Sequence, residues 1–556
     1  MTSELFGSNN AWQKTDALGN SFKAAPSCCF MERAFVNEMT WLRMSQSGLT
    51  EEFHRKYEEA LEIVGSQLGQ HHPIYVGGEP VFSDAGEFLD RSPIDTRTVI
   101  GYFQRAQRKH VRMAIESAKE GFERWGYLDW RKRVGVMRKA ADIMSDEKFL
   151  LAALITLENG KNRFEAMADV DEAIDYLRYY AYLMEINDGF VKRMGSVYPG
   201  EHALSVMKPY GVWAIVSPFN FPLAILTGMS SGALVTGNTV VLKPASDTPY
   251  IALRYYEILI RAGVPKDAVN YVTGSGKELQ DEFLENEDLM GIAFTGSWEV
   301  GSMLYARFSS KAPRPFIAEM GGKNATIITE SADIEKAVEG VIRGAFGYGG
   351  QKCSATSRLL VQRNVKERFL RRLLERLPEF KVGDPRRRDV FMGPLINERA
   401  LKNYIEYVEL AKKDGRVLYG GKVLKDGEFA NGYYVEPTVV EGLSREHRLW
   451  KEELFVPILL VKEFDTLEEA IEMANDSDYG LTAGIFSKNK DDVKMFFERI
   501  QAGVAYANRI VGSTTGAVVG VQAFGGWKRS GSTGKGAGGV YYLYQFMREQ
   551  SQSTYD

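Results

Sequence analysis

The chain has 556 residues, 44% hydrophobic and 26% charged, the proportions of a globular protein with room for more than one buried core. Its net charge of −4 comes without any block of Lys and Arg, which removes the electrostatic basis for binding nucleic acid or a membrane surface. Apolar runs stop at the length of buried strands, and three cysteines with six scattered histidines offer no metal-site spacing and no disulfide framework.

Residues 1–40 are rich in Ser, Asn, Gly and Ala without a sustained period and read as a loosely ordered tail. They lack the apolar stretch of a secretory signal and the Arg-rich character of a transit peptide, so a cytoplasmic location is expected. From Thr50 to about Leu68, a start cap at Thr50, acidic residues in the first turn and apolar residues at helical spacing predict a helix. Ile74 to Gly78 reads as a strand, and helices follow over 109–125, 130–145, 148–158 and about 165–185. The polar, strand-like segment 187–209 belongs to no repeating pattern; with the chain beyond 530 it suggests an arm that pairs with another subunit. Between 205 and 302 the strand-like runs GVWAIVS, NTVVLK, AVNYVTG and GIAFTGS are separated by helix-length stretches, the alternation of a parallel sheet covered on both faces. A second alternating block starts at NATIITE and SRLLVQ and ends with strands near 455–463 and 484–486, so two α/β domains are expected.

Several short segments carry chemistry. Ala293 to Gly301, AFTGSWEVG, closes a strand and opens a helix; Gly296 and Gly301 are spaced like the outer glycines of a dinucleotide fingerprint, with Trp298 at the middle one. Helix N-terminal amides there would attract phosphate, although a tight strand-to-helix turn explains the same glycines. Lys243 ends the apolar strand in VVLKP, where it is placed for a ribose or phosphate or simply reaches solvent. Cys353 lies in the glycine-rich turn GGQKCS and is either a packed thiol or a nucleophile whose pKa an amide-rich or positive setting lowers. Glu319 precedes Met320-Gly-Gly-Lys323 and is either a general base with a raised pKa or a surface carboxylate paired to Lys323. Asn220, between aromatics and prolines in Ser217-Pro-Phe-Asn-Phe-Pro222, is an oxyanion donor or an ordinary turn residue.

Taken together, FNFP, VLKPAS, FTGSWEVG, EMGGKN, GQKCSA and KEELFVP occur in the order found in the aldehyde dehydrogenase superfamily, which the chain resembles from about residue 70 to its end. The resemblance implies an α/β fold of two Rossmann-like parallel-sheet domains with an oligomerisation arm. It divides the chain into a tail (1–40), an NAD(P)-binding domain with N-terminal helices (41–318, interrupted by a hairpin at 187–209), a catalytic domain (319–525) and a C-terminal oligomerisation strand (526–556). Implied roles are Cys353 as nucleophile, Glu319 as base and Asn220 as oxyanion donor. For the cofactor, NAD with NADP also accepted, the resemblance implies Ser217, Pro218, Phe219, Lys243, Ser246, Gly274, Phe294, Thr295, Gly296, Ser297, Gly301, Glu453 and Phe455. KEELFVP carries Val456 where the family commonly has Gly.

The stretches GQKCSATSR and STTGAVVGVQAFGG resemble the subgroup that oxidises L-glutamate γ-semialdehyde, the open form of 1-pyrroline-5-carboxylate. For that substrate the resemblance implies contacts from Phe221, Ser354, Gly516, Ala517 and Phe524, with Glu165 at the ammonium end. Another semialdehyde or an aliphatic aldehyde is the alternative substrate, and a non-catalytic relative keeping the fold is the alternative from another class. A homo-oligomer, a dimer or a multiple of dimers, is expected, with no metal, nucleic acid or membrane partner.

Overall fold

The computed structural model describes residues 35–510 and 518–556. Two seven-stranded sheets organise the chain. In the first, Phe316–Glu319, Leu289–Thr295, Val212–Val216, Thr239–Lys243 and Val269–Tyr271 run parallel in that spatial order, and the hairpin Ile74–Val76 with Glu79–Val81 adds an antiparallel edge. The central strands read as unbroken apolar runs because helices cover both faces; all five residues of Thr239–Lys243 are buried.

In the second sheet, Asn324–Ile328 and Thr356–Gln362 lie at the centre, flanked by Ile458–Phe464 and Thr482–Phe486. The two-residue period sends neighbouring side chains to opposite cores. Ile327, Leu360 and Leu460 pack with Tyr404 and Trp450, while Ile328, Leu359, Val361 and Leu459 pack with Val341 and Phe369. Each such Ile or Leu contributes about 1.5–3 kcal/mol by leaving water. The open ends of both sheets' parallel strands supply the loops that carry the motif residues.

Three sequence expectations are corrected here. Thr50 is the first helical residue of Thr50–Gly65, and Leu49 stands at the cap with no side-chain hydrogen bond, so the acidic first turn rather than a hydroxyl cap marks the start. Residues 37–40 do not belong to a loose tail: the Thr40 amide and hydroxyl both donate to Asp171, at 2.7 Å each, and Asn37 Nδ2 donates to Asp175 at 2.8 Å. The strand Phe316–Glu319 crosses the expected boundary at 318/319, because its ladder to Ile292–Thr295 continues through Glu319.

The segment 187–209 forms Val191–Arg193 and Glu201–Pro209, and Met547–Tyr555 pairs with the latter over its whole length, from Met547 opposite Pro209 to Tyr555 opposite Glu201. Only that last strand belongs to the arm. Residues 526–532, read from sequence as part of it, lace instead onto the end of the first sheet. Met320 N donates to Ser530 O at 2.8 Å, Ser532 N to Ala318 O at 3.0 Å, and Ser530 Oγ to Gly321 O at 2.6 Å. Among the described residues no helix is long and apolar enough to cross a membrane.

Candidate active site

The cysteine loop is built by backbone that few residues tolerate. After the helix Ile334–Phe346, Tyr348, Gly349 and Gly350 all have positive φ, at 50°, 62° and 67°. A Cβ on Gly350 would lie 2.7 Å from the Val456 carbonyl, so glycine is required there by space as well as by φ. The turn delivers Cys353 partly exposed, just before the strand Thr356–Gln362. Asn324, at the start of its strand, fixes the loop: its Nδ2 donates to Cys353 O at 2.7 Å and to Ala355 O at 2.9 Å, while its Oδ1 accepts from Thr482 N at 2.9 Å. Sequence reading quoted Asn324 within EMGGKN without a role; a polar residue opening an otherwise apolar, fully buried strand was the available signal. Gly322 faces the same carbonyl, and a Cβ there would come within 2.4 Å of Cys353 O.

The Cys353 thiol is pushed up, not down. Burial contributes most and the nearby Glu453 and Glu319 carboxylates add to it, outweighing the amides of Ser354 and Cys353 that favour thiolate. The upward direction is opposite to the lowering expected of a nucleophilic thiol.

Glu319 ends its strand half-buried, with Oε2 accepting from Gly526 N at 2.9 Å. Burial holds its carboxyl well above the usual carboxylate range, and the single amide bond only partly offsets this. The alternative of a surface ion pair with Lys323 does not hold: Lys323 is buried, its Nζ has no hydrogen-bond partner, and burial with the neighbouring Arg358 pushes it well below an ordinary lysine. Asn220, 3% exposed, lies in the loop between Val212–Val216 and the helix Ala224–Val235. Lys161 joins this loop to the cysteine loop, its Nζ lying 3.7 Å from the Phe221 ring centroid and 5.2 Å from that of Tyr348.

Most of the residues expected to hold a dinucleotide lie at or just beyond the ends of the first sheet's strands. Ser297 Oγ caps the helix Trp298–Phe308 by accepting from Val300 N at 3.4 Å, and Gly296 N donates to Glu319 O at 3.2 Å. A Cβ on Gly301 would meet Met320 Sδ at 2.6 Å, and one on Gly296 the Phe294 ring at 2.5 Å. Both glycines thus serve close helix-to-strand packing as well as the turn. Thr295 Oγ1 is directed at Met229 Sδ, 3.6 Å away.

Lys243 is buried, with Nζ donating to Pro244 O at 2.9 Å; burial pushes it down to about 8. A Cβ on Gly276 would lie 3.9 Å from that Nζ, and Ser246 Oγ donates to Gly274 O at 3.3 Å, so Lys243, Ser246, Gly274 and Gly276 lie together. Glu453 Oε1 accepts from Gly322 N at 2.8 Å, and burial pushes its carboxyl up to about 7. A Cβ on Gly321 would come within 2.2 Å of Glu453 Oε2. Phe455 holds a positive φ of 57° beside Phe219, with ring centroids 5.8 Å apart. Val456 is buried, and its carbonyl faces Gly350. Ser217, next to Pro218, is buried with no partner for its Oγ. The orphaned Ser217 hydroxyl, the buried Lys243 ammonium and the half-buried Glu453 carboxyl on a glycine cradle fit a ribose-and-phosphate ligand.

The profile of the aldehyde dehydrogenase family matches residues 82–551. The chain belongs to that family. A 1-pyrroline-5-carboxylate dehydrogenase of Bacillus licheniformis is 38% identical over 510 residues, covering 90% of this chain and 96% of that protein. One from Geobacillus sp. is 37% identical over 511 residues, covering 91% and 97%. Among solved structures, a Thermus thermophilus 1-pyrroline-5-carboxylate dehydrogenase superposes with a TM-score of 0.86 at 34% identity, covering 97% of this chain and 99% of that one. A Thermus enzyme of the same name with bound NAD gives the same scores.

In this aldehyde dehydrogenase the residues assigned to substrate are unevenly placed. Phe221 is half-buried over Lys161, and Ser354, beside the nucleophile, is buried, with its carbonyl accepting from Thr482 Oγ1 at 3.3 Å. Phe524 is half-buried, and its backbone exchanges two hydrogen bonds with Ala537, at 2.9 and 2.7 Å. Gly516 and Ala517 lie outside the described residues. Glu165 is not a free carboxylate: Oε1 accepts from Lys352 Nζ at 2.6 Å, and Oε2 accepts from Tyr348 N at 3.1 Å and Asn162 Nδ2 at 3.2 Å. An ammonium reaching it would share it with Lys352. Among the described residues no cluster of His, Cys, Asp and Glu could hold a metal ion.

Proposed function

We propose that this aldehyde dehydrogenase oxidises L-glutamate γ-semialdehyde, from 1-pyrroline-5-carboxylate, to L-glutamate with NAD in proline breakdown, through a thioester on Cys353. The observation that carries the chemistry is the placement of Glu319, a carboxyl held above its ordinary range by burial and close enough to raise the Cys353 thiol. The substrate assignment is supported by the relatives at 36–38% identity, which carry the name 1-pyrroline-5-carboxylate dehydrogenase.

Cys353 gives up its thiol proton to water, and the thiolate Sγ attacks the aldehyde carbon, so that the carbonyl oxygen takes up negative charge as the thiohemiacetal forms. Asn220 Nδ2 and the Cys353 amide donate to that oxygen. Lys243, Ser246, Ser217, Ser297 and Glu453 would hold NAD, which when bound would supply a positively charged ring and the hydride acceptor. Glu319 takes a proton from water, the water oxygen attacks the thioester carbonyl, and the C–S bond breaks to release L-glutamate. The cofactor part runs through the strand that ends at Glu319, and the catalytic part follows it. The arm, with Met194, Val197 and Tyr198 exposed on it, pairs with a second copy in a dimer or multiple of dimers in the cytoplasm.

NADH formation separates the candidate substrates. Glutamate semialdehyde should exceed butyraldehyde and succinic semialdehyde in kcat/KM by about 100-fold or more, since a site built for polar groups leaves them unpaired with an analogue that lacks them. Gly516→Val should raise its KM with less effect on small unbranched aldehydes. A better kcat/KM for butyraldehyde or succinic semialdehyde would overturn the substrate while leaving the dehydrogenase chemistry standing.

NADP should also be accepted, because Ser246 offers no carboxylate against a 2′-phosphate and Lys243 lies together with it. Ser246→Glu should lower the NADP-to-NAD ratio of kcat/KM by about tenfold through like-charge repulsion. An unchanged ratio would remove Ser246 from that role.

A further inference from the structure

The loop bearing Asn220 is gripped on both sides by one short stretch of chain. Asn159 closes the helix Lys148–Asn159, and its Nδ2 donates to Phe219 O at 2.6 Å. After the left-handed Gly160, Lys161 sets its ammonium 3.7 Å from the Phe221 ring centroid. Nearly two turns into the helix Arg163–Ile186, Asp169 takes Lys161 Nζ on Oδ2 at 2.8 Å and the Ala224 amide on Oδ1 at 2.7 Å. Contacts thus fall on residues 219, 221 and 224, with Asn220 between the first two. The stretch also reaches the nucleophile loop, where Tyr348 OH donates to Asn159 O at 3.1 Å.

Stability alone does not account for this arrangement. Lys161 and Asp169 both have 0% side-chain exposure, and a fully buried ion pair is matched or bettered in stability by an apolar pair of similar volume. What an apolar pair would not do is hold a backbone amide and an aromatic ring at once. An oxyanion donor must stand within about 2.7–3.1 Å of where charge will develop, and a displacement of about an ångström costs much of its effect.

We propose that Asn159, Lys161 and Asp169 are positioning residues that hold Asn220 in register for the oxyanion on Cys353. The proposal rests on the reading of Asn220 as oxyanion donor, but not on which aldehyde is oxidised. The deciding experiment is a double-mutant cycle in the full-length enzyme with saturating NAD, reading the rate constant of the NADH burst by stopped flow. Asn159→Leu and Lys161→Met are each made alone and with Asn220→Ala. Each alone should slow the burst by about 10–100-fold with NAD affinity unchanged. In the Asn220→Ala background the same changes should slow it by less than about twofold, since the donor they position is gone.

An equal slowing in both backgrounds would overturn the proposal, because a general structural role multiplies through. A burst unaffected by Asn220→Ala itself would instead fell the oxyanion reading, and the proposal with it. Should Lys161→Met not fold, with Asp169 left buried and unpaired, the Asn159→Leu cycle decides alone, because it removes a neutral amide and strands no charge.

Discussion

Replacing Cys353 by alanine is expected to lower NADH production by about 10⁴-fold or more while leaving NAD affinity within about twofold of the parent. The change removes one sulfur from a partly exposed position and disturbs none of the bonds that hold the loop, since Asn324 binds the Cys353 carbonyl rather than its side chain. Loss of the nucleophile ends covalent catalysis, and the remaining oxyanion donors cannot replace it. Steady-state NADH absorbance and calorimetric NAD binding check the two halves. Residual turnover above about one per cent would mean that another group attacks the aldehyde. A parallel loss of NAD binding would mean that the loop had moved.

The residues assigned to this chemistry were legible because each sits in a short contiguous segment whose odd composition is its own signal. Glycines precede Cys353 and follow Glu319, and Asn220 lies between aromatics and prolines. The parallel sheets were legible for the same reason, as buried strands read as unbroken apolar runs. What escaped the sequence were ties between distant segments. Asn159 meets Phe219 across 60 residues, and Glu165 meets Lys352 across 187. Neither distance leaves a local pattern, so Glu165 looked available for a substrate ammonium when its charge is already paired. The direction of the Cys353 shift is hidden likewise, because it depends first on burial and then on Glu453, 100 residues further on and brought beside the loop by the Gly321-Gly322 cradle. The segment after Gly525 was misread because its seryl groups bond backbone at Ala318 and Gly321 rather than following a strand period.

Glu319→Ala should separate formation of the acyl-enzyme from its hydrolysis. The enzyme should release about one equivalent of NADH per active site in a pre-steady-state burst and then turn over about 10²–10⁴-fold more slowly than the parent, the usual range for loss of a general base. Attack by Cys353 and hydride loss need Asn220 and the bound cofactor, and neither depends on the bond that the Glu319 side chain accepts from the Gly526 amide. Hydrolysis needs an unprotonated Glu319, and burial has raised its pKa well above that of a free glutamate. Where deacylation limits the parent, turnover should therefore climb with rising pH through a limb displaced upward from the ordinary carboxylate range, as more Glu319 loses its proton. The same limb should be missing from Glu319→Gln, which keeps the shape and an acceptor for the Gly526 amide but cannot take a proton. Rapid-quench measurement of acyl-enzyme alongside burst amplitude reads both steps at once. If the burst itself disappears in Glu319→Ala while Cys353 remains alkylatable, Glu319 acts before the thioester forms, and its assignment as the deacylation base alone is wrong.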